Sequence, residues 1–243
     1  MPSLRVIGPG RAGLSLTRAL ARCGWDVEEP IGRGADVTSA ARGVDLLVLA
    51  TPDSAIAEVA SAIDPVPSTV VAHLSGSLGL SVLSPHTRRA ALHPLVAMPD
   101  PERGAAALVG AWFAVSGDPL VREVVAGLQG HAVEIDDAQR AAYHAAACIA
   151  SNHLVGLLGQ AERVAAAVGV PFEAYHSLVR ATVENVARLG PAAALTGPVS
   201  RGDWETVERH LEAIADSEVS GYCAGASLAG RLAGRSVEVA ACR

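Results

Sequence analysis

A short apolar run, Leu4 to Ile7, leads directly into Gly8-Pro9-Gly10-Arg11-Ala12-Gly13, and from Arg11 to Cys23 apolar residues recur at helical spacing. A strand that ends in G-x-G-x-x-G and resumes as a helix leaves few architectures open. The first glycine suits a tight turn and the second lets a phosphate approach the backbone. The third lets the helix pack on its strand, so that its first amides face an anion. The pattern predicts a β-α-β unit that binds a dinucleotide through Gly8, Pro9, Gly10, Arg11, Ala12 and Gly13. A glycine-rich turn with no ligand is the competing account.

The alternation continues. Val27 to Ile31 reads as a weak strand, while Val44 to Ala50 and Thr69 to Leu74 are continuous apolar runs, as expected of strands covered on both faces. Ser54 to Ile63 and Leu78 to Leu83 read as helices between strands. Ala90 to His93, Trp112 to Ser116 and Ala132 to Ile135 read as the last strands, with a helix over Leu120 to Gln129. This is an α/β pattern predicting a doubly wound parallel sheet. After about Asp136 the strand signal stops. One long alanine-rich helix is predicted over Ala138 to Val168, interrupted near Gly156 and Gly159, then helices over Phe172 to Leu189, Asp203 to Ile214 and Val219 to Leu232. The expected domains are 1–136, dinucleotide-binding, and 137–243, all-helical. A long helix that is apolar nearly all round needs cover, so a homodimer through the C-terminal helices is expected.

Composition narrows the chemistry. All 19 basic residues are arginine, which excludes any Schiff-base, phosphate-loop or proton-donating lysine. A net charge of −6 argues against a nucleic-acid partner, and no segment reads as a membrane span or signal peptide, so a cytoplasmic protein acting on a small molecule is expected. The four cysteines, Cys23, Cys148, Cys223 and Cys242, show no C-x-x-C spacing and read as reduced packing thiols. No ligand spacing suggests a metal.

The residue about 20 positions past Gly13 is Arg33, at the end of the weak second strand, where an acidic residue would hold the ribose of NAD. An arginine there suits the 2′-phosphate of NADP, since its fork donates charge-assisted bonds to phosphate oxygens. A solvated loop arginine is the alternative. Ala50-Thr51-Pro52 ends the third strand and is expected to pass along the cofactor, although Thr51-Pro52-Asp53 is also an ordinary helix start. Ser75 and Gly76 follow the next strand, and His93 ends the one after, on the same edge. His93 is the candidate proton donor and Ser75 a supporting donor, against a packing role for a histidine in a His-Pro turn. His73, inside its strand, reads as structural. On the long helix His144, Cys148 and Asn152 share a stripe; Asn152 either orients substrate or makes a helix–helix hydrogen bond. Arg201, in a polar turn, is a candidate for a substrate carboxylate, and Asp203 a cap for the following helix.

The segments G-P-G-R-A-G-L-S-L, L-A-T-P-D-S-A-I, H-L-S-G-S-L-G, L-H-P-L, A-A-A-C-I-A-S-N-H and L-T-G-P-V-S-R-G-D run in this order along nearly the whole chain. Together they resemble the bacterial family that pairs a Rossmann-like NADP-binding domain with a helical C-terminal domain of unknown function. That family lies within the 6-phosphogluconate-dehydrogenase-like superfamily, beside pyrroline-5-carboxylate reductase, ketopantoate reductase and prephenate dehydrogenase. The resemblance implies an NADP-linked oxidoreductase of a small anionic carbonyl or imine, a ketopantoate-type 2-keto acid being the first example, with dimer formation through the helices. It also implies that Cys148 stands where many relatives carry a catalytic lysine, if Asn152 matches their asparagine. The His-Pro element at His93 is similar to a catalytic histidine motif of prephenate dehydrogenase. A chain that binds NADP(H) as a sensor, without turnover, is the alternative reading.

Overall fold

The computed structural model describes residues 1–242, in two compact units, the first over 1–151 and the second from 152 onward. The division by packing thus falls inside the long helical segment rather than before it.

The first unit is a seven-stranded sheet in the order β2-β1-β3-β4-β5-β6-β7. Its strands are β1 (Ser3–Ile7), β2 (Asp26–Val27), β3 (Leu46–Leu49), β4 (Val70–His73), β5 (Arg89–Pro94), β6 (Trp112–Gly117) and β7 (His131–Glu134). The helices are α1 (Arg11–Arg22), α2 (Asp53–Ser61), α3 (Pro101–Leu108), α4 (Leu120–Gly127) and α5 (Arg140–Cys148). Alternation along the strands makes two cores. Leu4, Val6, Leu46, Val48, Val70 and Leu92 face α1 residues such as Leu16 and Leu20. Ile7, Leu47, Leu49 and Val71 face Ile56 and Ile63 on the other side. β3 and β4 are buried at every position, which is why they read as unbroken apolar runs.

Four features depart from expectation. The sheet is mostly parallel, but β5 and β6 pair antiparallel, with Pro94 opposite Phe113 and His93 opposite Ala114. A parallel neighbour requires the chain to cross back along the whole sheet. Here α3 packs against α1, and the chain re-enters at the edge it left, with Leu95 N–H donating to the Trp112 carbonyl at 2.9 Å. α3 itself has no counterpart among the predicted elements, although Asp100-Pro101 is a proper start. The Asp100 side chain accepts from the amides of Glu102 and Arg103 at 3.0 and 2.8 Å. The second strand is cut to two residues plus an isolated bridge from Ile31 to Ile7, and Leu80–Leu83 is a 3-10 turn.

The second unit holds α6 (Leu154–Ala167), α7 (His176–Leu189), α8 (Pro191–Ala194), α9 (Pro198–Arg201), α10 (Trp204–Ala213) and α11 (Asp216–Leu232). The break in the long helix falls not at Gly156 and Gly159, which lie inside α6, but at a π-helical turn over Ile149–His153. Ser151 Oγ donates to the Ala147 carbonyl at 2.8 Å there, the back-bonding that loosens a helical ladder. Asp203 caps α10 by accepting from the Thr206 amide at 3.2 Å, as the sequence predicts. The cysteine expectation fails for one pair. Cys223 on α11 is joined to Cys242, with Cα atoms 5.1 Å apart, while Cys23 and Cys148 are free thiols. The C-terminal segment folds back so that Val239 enters a small core with Val199, Val207 and Ala226, and this return brings two distant cysteines together.

Candidate functional site

The three glycines of the loop after β1 meet three different surroundings. Gly8 has φ +102, and a Cβ on it would lie 2.7 Å from the Ala50 carbonyl oxygen. A Cβ on Gly13 would collide with the Gly8 carbonyl oxygen and press on Ala50 and Val6, so this glycine lets α1 sit on β1 and β3. Gly10 has nothing within 4 Å. The turn is therefore fixed at both ends and open in the middle. α1 begins there with no side-chain cap and no acidic residue in its first turn, so its first amides are left for an anion. This donor set fits a pyrophosphate, with Pro9, Arg11 and Ala12 completing the loop.

The Gly8 amide donates to the Ile31 carbonyl at 2.9 Å, which anchors the end of the second strand beside the loop. Arg33 follows in an exposed turn and makes no hydrogen bond or ion pair among the described residues. Of the two acids in this stretch, Glu28 lies 3.6 Å from Arg5. On the other side, the Ala50 amide donates to the Ile7 carbonyl at 2.8 Å, and Thr51-Pro52 leads into α2 with Pro52 as its N-cap.

A second group of polar side chains gathers at the carboxyl ends of β3, β4 and β5. Ser75, 5% exposed, donates its hydroxyl to Asp53 Oδ2 at 2.6 Å, and Ser77 donates to the same oxygen at 3.0 Å. Ser75 Oγ in turn accepts from the amides of Ser77 and Leu78 at 3.2 and 3.1 Å, which sets the turn. Between the serines, Gly76 admits two imidazoles: a Cβ there would lie 2.7 Å from His144 Cδ2 and 2.9 Å from His93 Nε2. His93 Nδ1 is hydrogen-bonded to the Tyr143 hydroxyl at 2.6 Å, and the rings of Tyr143 and His144 stand edge-on to it. His144 reaches Cys148 Sγ at 3.9 Å along α5.

Register explains the gathering. His73 pairs with Ala91, Ala91 with Ser116, and His93 with Ala114, so His73, His93 and Ser116 project from one face, the face that α5 covers. Burial first, then the charges of His144 and Arg140, push the His93 imidazole down to about 4. His73 is likewise pushed down to about 4, by burial and then by Arg140, and neither of its ring nitrogens makes a well-aligned hydrogen bond. Burial pushes the Tyr143 phenol up to about 12. At neutral pH the site therefore presents a neutral imidazole bonded to a neutral phenol. Burial thus holds His93 well below the range in which a free imidazole titrates.

All of this belongs to the first unit. Asn152, in the turn Ile149–His153, and Arg201, at the end of α9, are residues of the second. Tyr143 was not among the predicted site residues, and only its position one residue before His144 hinted at it. Among the described residues no group of three His, Cys, Asp or Glu side chains is placed to hold a metal ion, and no helix is long and apolar enough to cross a membrane.

An open mostly parallel sheet, a glycine turn opening onto a helix N-terminus and polar groups along the same edge form an α/β domain of the Rossmann-like type. Family comparison agrees: a Rossmann-like domain matches residues 28–99, and a domain of unknown function, DUF2520, matches residues 112–228. The chain thus joins a Rossmann-like domain to a DUF2520 domain. Among solved structures, a Bacteroides fragilis protein provisionally named an NADP oxidoreductase is 21% identical, with a TM-score of 0.74 over 96% of each chain. The Thermotoga maritima protein TM1727 is 23% identical, with a TM-score of 0.72 over 95% of this chain and 98% of the other. A reductive aminase from Aspergillus terreus, in complex with NADPH and ethyl levulinate, is 17% identical, with a TM-score of 0.61 over 98% of this chain and 89% of its own. No curated protein is significantly similar in sequence. At these identities the likeness shows the fold, which is shared with NAD(P)-dependent oxidoreductases.

Proposed function

We propose that this chain is an NADP(H)-dependent oxidoreductase of a small carbonyl or imine compound. The observation that carries the reading is the open face of Gly10 beside uncapped α1 amides and an unpaired Arg33. Gly8 to Gly13 would hold the pyrophosphate, Arg33 the 2′-phosphate, and Ala50, Thr51 and Pro52 the path toward nicotinamide. When bound, nicotinamide supplies hydride-transfer chemistry. The chain supplies the rest: Asp53 fixes the hydroxyls of Ser75 and Ser77, Ser75 and Gly76 border the reacting group, and His93 Nε2–H is the hydrogen-bond donor to the atom that gains a proton. A small anionic 2-keto acid of ketopantoate type heads the substrate panel, followed by cyclic and open-chain imines.

The test is a fluorescence titration of cofactor-stripped protein with NADPH and NADH. NADPH is expected to bind more tightly, and Arg33→Ala to remove most of the preference, about 10- to 100-fold for a lost charge-assisted contact. Equal affinities refute the NADP assignment, and no binding of either refutes the reading as a whole. Binding without turnover across the panel favours the sensor alternative. The proposed partner is a second copy of the chain. α7 has no buried residue although Leu178, Val183, Val186 and Leu189 recur along it, so a stable helix needs further cover. Sedimentation as a monomer at micromolar concentration would remove that proposal.

A further inference from the structure

Arg140 opens α5 and is 0% exposed, the largest fully buried side chain of the chain's described residues. Its Nη2 donates to Ser116 Oγ at 2.7 Å, and its Nε lies 3.5 Å from Asp137 Oδ1. Nε and Nη1 nevertheless lack a well-aligned hydrogen bond and are sealed from water. Asp137 is half-exposed, and its other oxygen accepts from the Leu80 amide at 3.0 Å, so its charge is both shared and screened. A buried guanidinium with donors left over is costly unless something uses the charge. What lies beside it is the His93–Tyr143 pair: Tyr143 stands one helical turn on from Arg140, and Ser116, which anchors Arg140, is two residues from the β6 partner of His93.

We infer that Arg140 is the positioning residue of the proton donor: its buried charge holds His93 and Tyr143 in the arrangement where Tyr143 O–H donates to His93 Nδ1 and His93 Nε2–H faces the reacting atom, and it balances the charge that appears on Tyr143 as the proton moves. The inference rests on the reading of the site as an oxidoreductase centre. In the reduction direction the substrate oxygen or nitrogen forms a bond to the Nε2 proton and the Nε2–H bond breaks. Nδ1 takes the Tyr143 proton, so the imidazole stays neutral throughout and has only exchanged tautomers. The negative charge ends on the phenolate oxygen, beside Arg140, until solvent returns a proton. Tyr143 is the ultimate donor and His93 the relay, which gives a lysine-free chain a proton source.

The charged and titratable groups around the pair are His73 from β4, Asp53 from the start of α2, Asp137 from the turn before α5, and Arg140, His144 and Cys148 from α5 itself. Arg140 is the only arginine among them. Its charge opposes protonation of both His73 and His93, and works against burial on Tyr143, which it pulls toward ionisation. One cation thus disfavours imidazolium and favours phenolate, the two requirements of the relay.

The test follows ring-nitrogen and phenol-carbon signals by NMR in isotope-labelled full chain without cofactor, assigned with His93→Gln and Tyr143→Phe. Arg140→Met is expected to raise the His93 midpoint from about 4 by about one pH unit and to move Tyr143 further up. Arg140→Lys should restore most of both shifts. Turnover should fall by about tenfold or more in Arg140→Met with KM changed far less, and Tyr143→Phe should match it. If Arg140→Met does not fold, Ser116→Ala, which frees the guanidinium, is expected to move both midpoints in the same directions by less. Midpoints unmoved in whichever variant folds overturn the inference. Because they are read without cofactor, that failure is separate from a failure to bind NADPH, which would instead overturn the oxidoreductase reading.

Discussion

Alanine placed at each loop glycine in turn should separate folding from binding, because the three positions differ so sharply in space. At Gly10 the backbone is extended, with φ −80, and nothing lies within 4 Å of a new Cβ. The only expected stability change is the loss of glycine at an N-cap, at most about 1 kcal/mol. At Gly8 a side chain must adopt φ +102 and meets the Ala50 carbonyl at 2.7 Å, which costs about 1–2 kcal/mol for the backbone before the contact is counted. At Gly13 the Cβ meets backbone and the side chains of Ala50 and Val6, both at 3.1 Å, so α1 must lift from the sheet, about 1–3 kcal/mol. Urea unfolding should therefore rank Gly10→Ala nearest the parent. NADPH titration should rank it among the worst, with affinity down by about tenfold or more, since a methyl group displaces the phosphate whose bonds are charge-assisted and worth about 1.5–3 kcal/mol each. A Gly10→Ala protein that is as stable as the parent and binds NADPH equally well would refute the assignment of this face to a pyrophosphate.

Three further outcomes follow from the same geometry. Gly76→Ala would put a methyl group 2.7 Å from His144 and 2.9 Å from His93; about 1–3 kcal/mol of stability should be lost, and the His93–Tyr143 bond should disappear from NMR spectra. Unchanged ring signals would contradict the packing. Because His73 and His93 are both held down near about 4, below the usual 6.5, the unfolded chain binds protons that the folded chain refuses as pH falls. Stability is thus fully present above about pH 6.5 and declines toward pH 4, by up to about 1.4 kcal/mol per unit for each histidine; equal urea midpoints at pH 7 and pH 5 would refute this. Cys223 and Cys242 close a loop with a sequence separation of 19, so Cys242→Ser should destabilise the second unit by about 3 kcal/mol. A parent melting curve that is the same with and without a dithiol reductant would speak against the bond.

What was legible in the sequence was whatever a contiguous stretch decides. β3 and β4 are buried on both faces and so are written as unbroken apolar runs; the glycine loop is six residues long, and Gly8 and Gly13 at its ends each have a steric reason. Strand direction is different in kind. Whether β6 runs with or against β5 depends on where α3 finds a surface, and that surface is α1, some eighty residues earlier in the chain. The Asp100-Pro101 start of α3 was present to be read, but eight residues of mostly small side chains carry little periodic signal. The cysteine pair shows the same limit, since nothing near Cys223 announces that the chain returns to it.

The site divides along the same line, and the division explains its chemistry. His93 and Ser75 could be found because a strand end points them at a known edge. Asp53 resembled a cap, and only the fold shows its carboxylate taking hydroxyls from two serines more than twenty residues on. Tyr143 and Arg140 come from a helix fifty residues after His93, and no spacing links them to it. Yet Tyr143 engages Nδ1 of His93, and the charge of Arg140 adds to burial in opposing its protonation. Exposed to water, His93 would titrate near neutrality and act as an imidazolium; packed beneath α5, it is a neutral ring whose Nδ1 is already engaged. The histidine proposed as the donor was visible at a strand end, while the side chains that contact it lie on a helix far along the chain. On the proposed reading, the missing lysine therefore does not decide whether the site can deliver a proton; the burial and hydrogen-bond partner of His93 do.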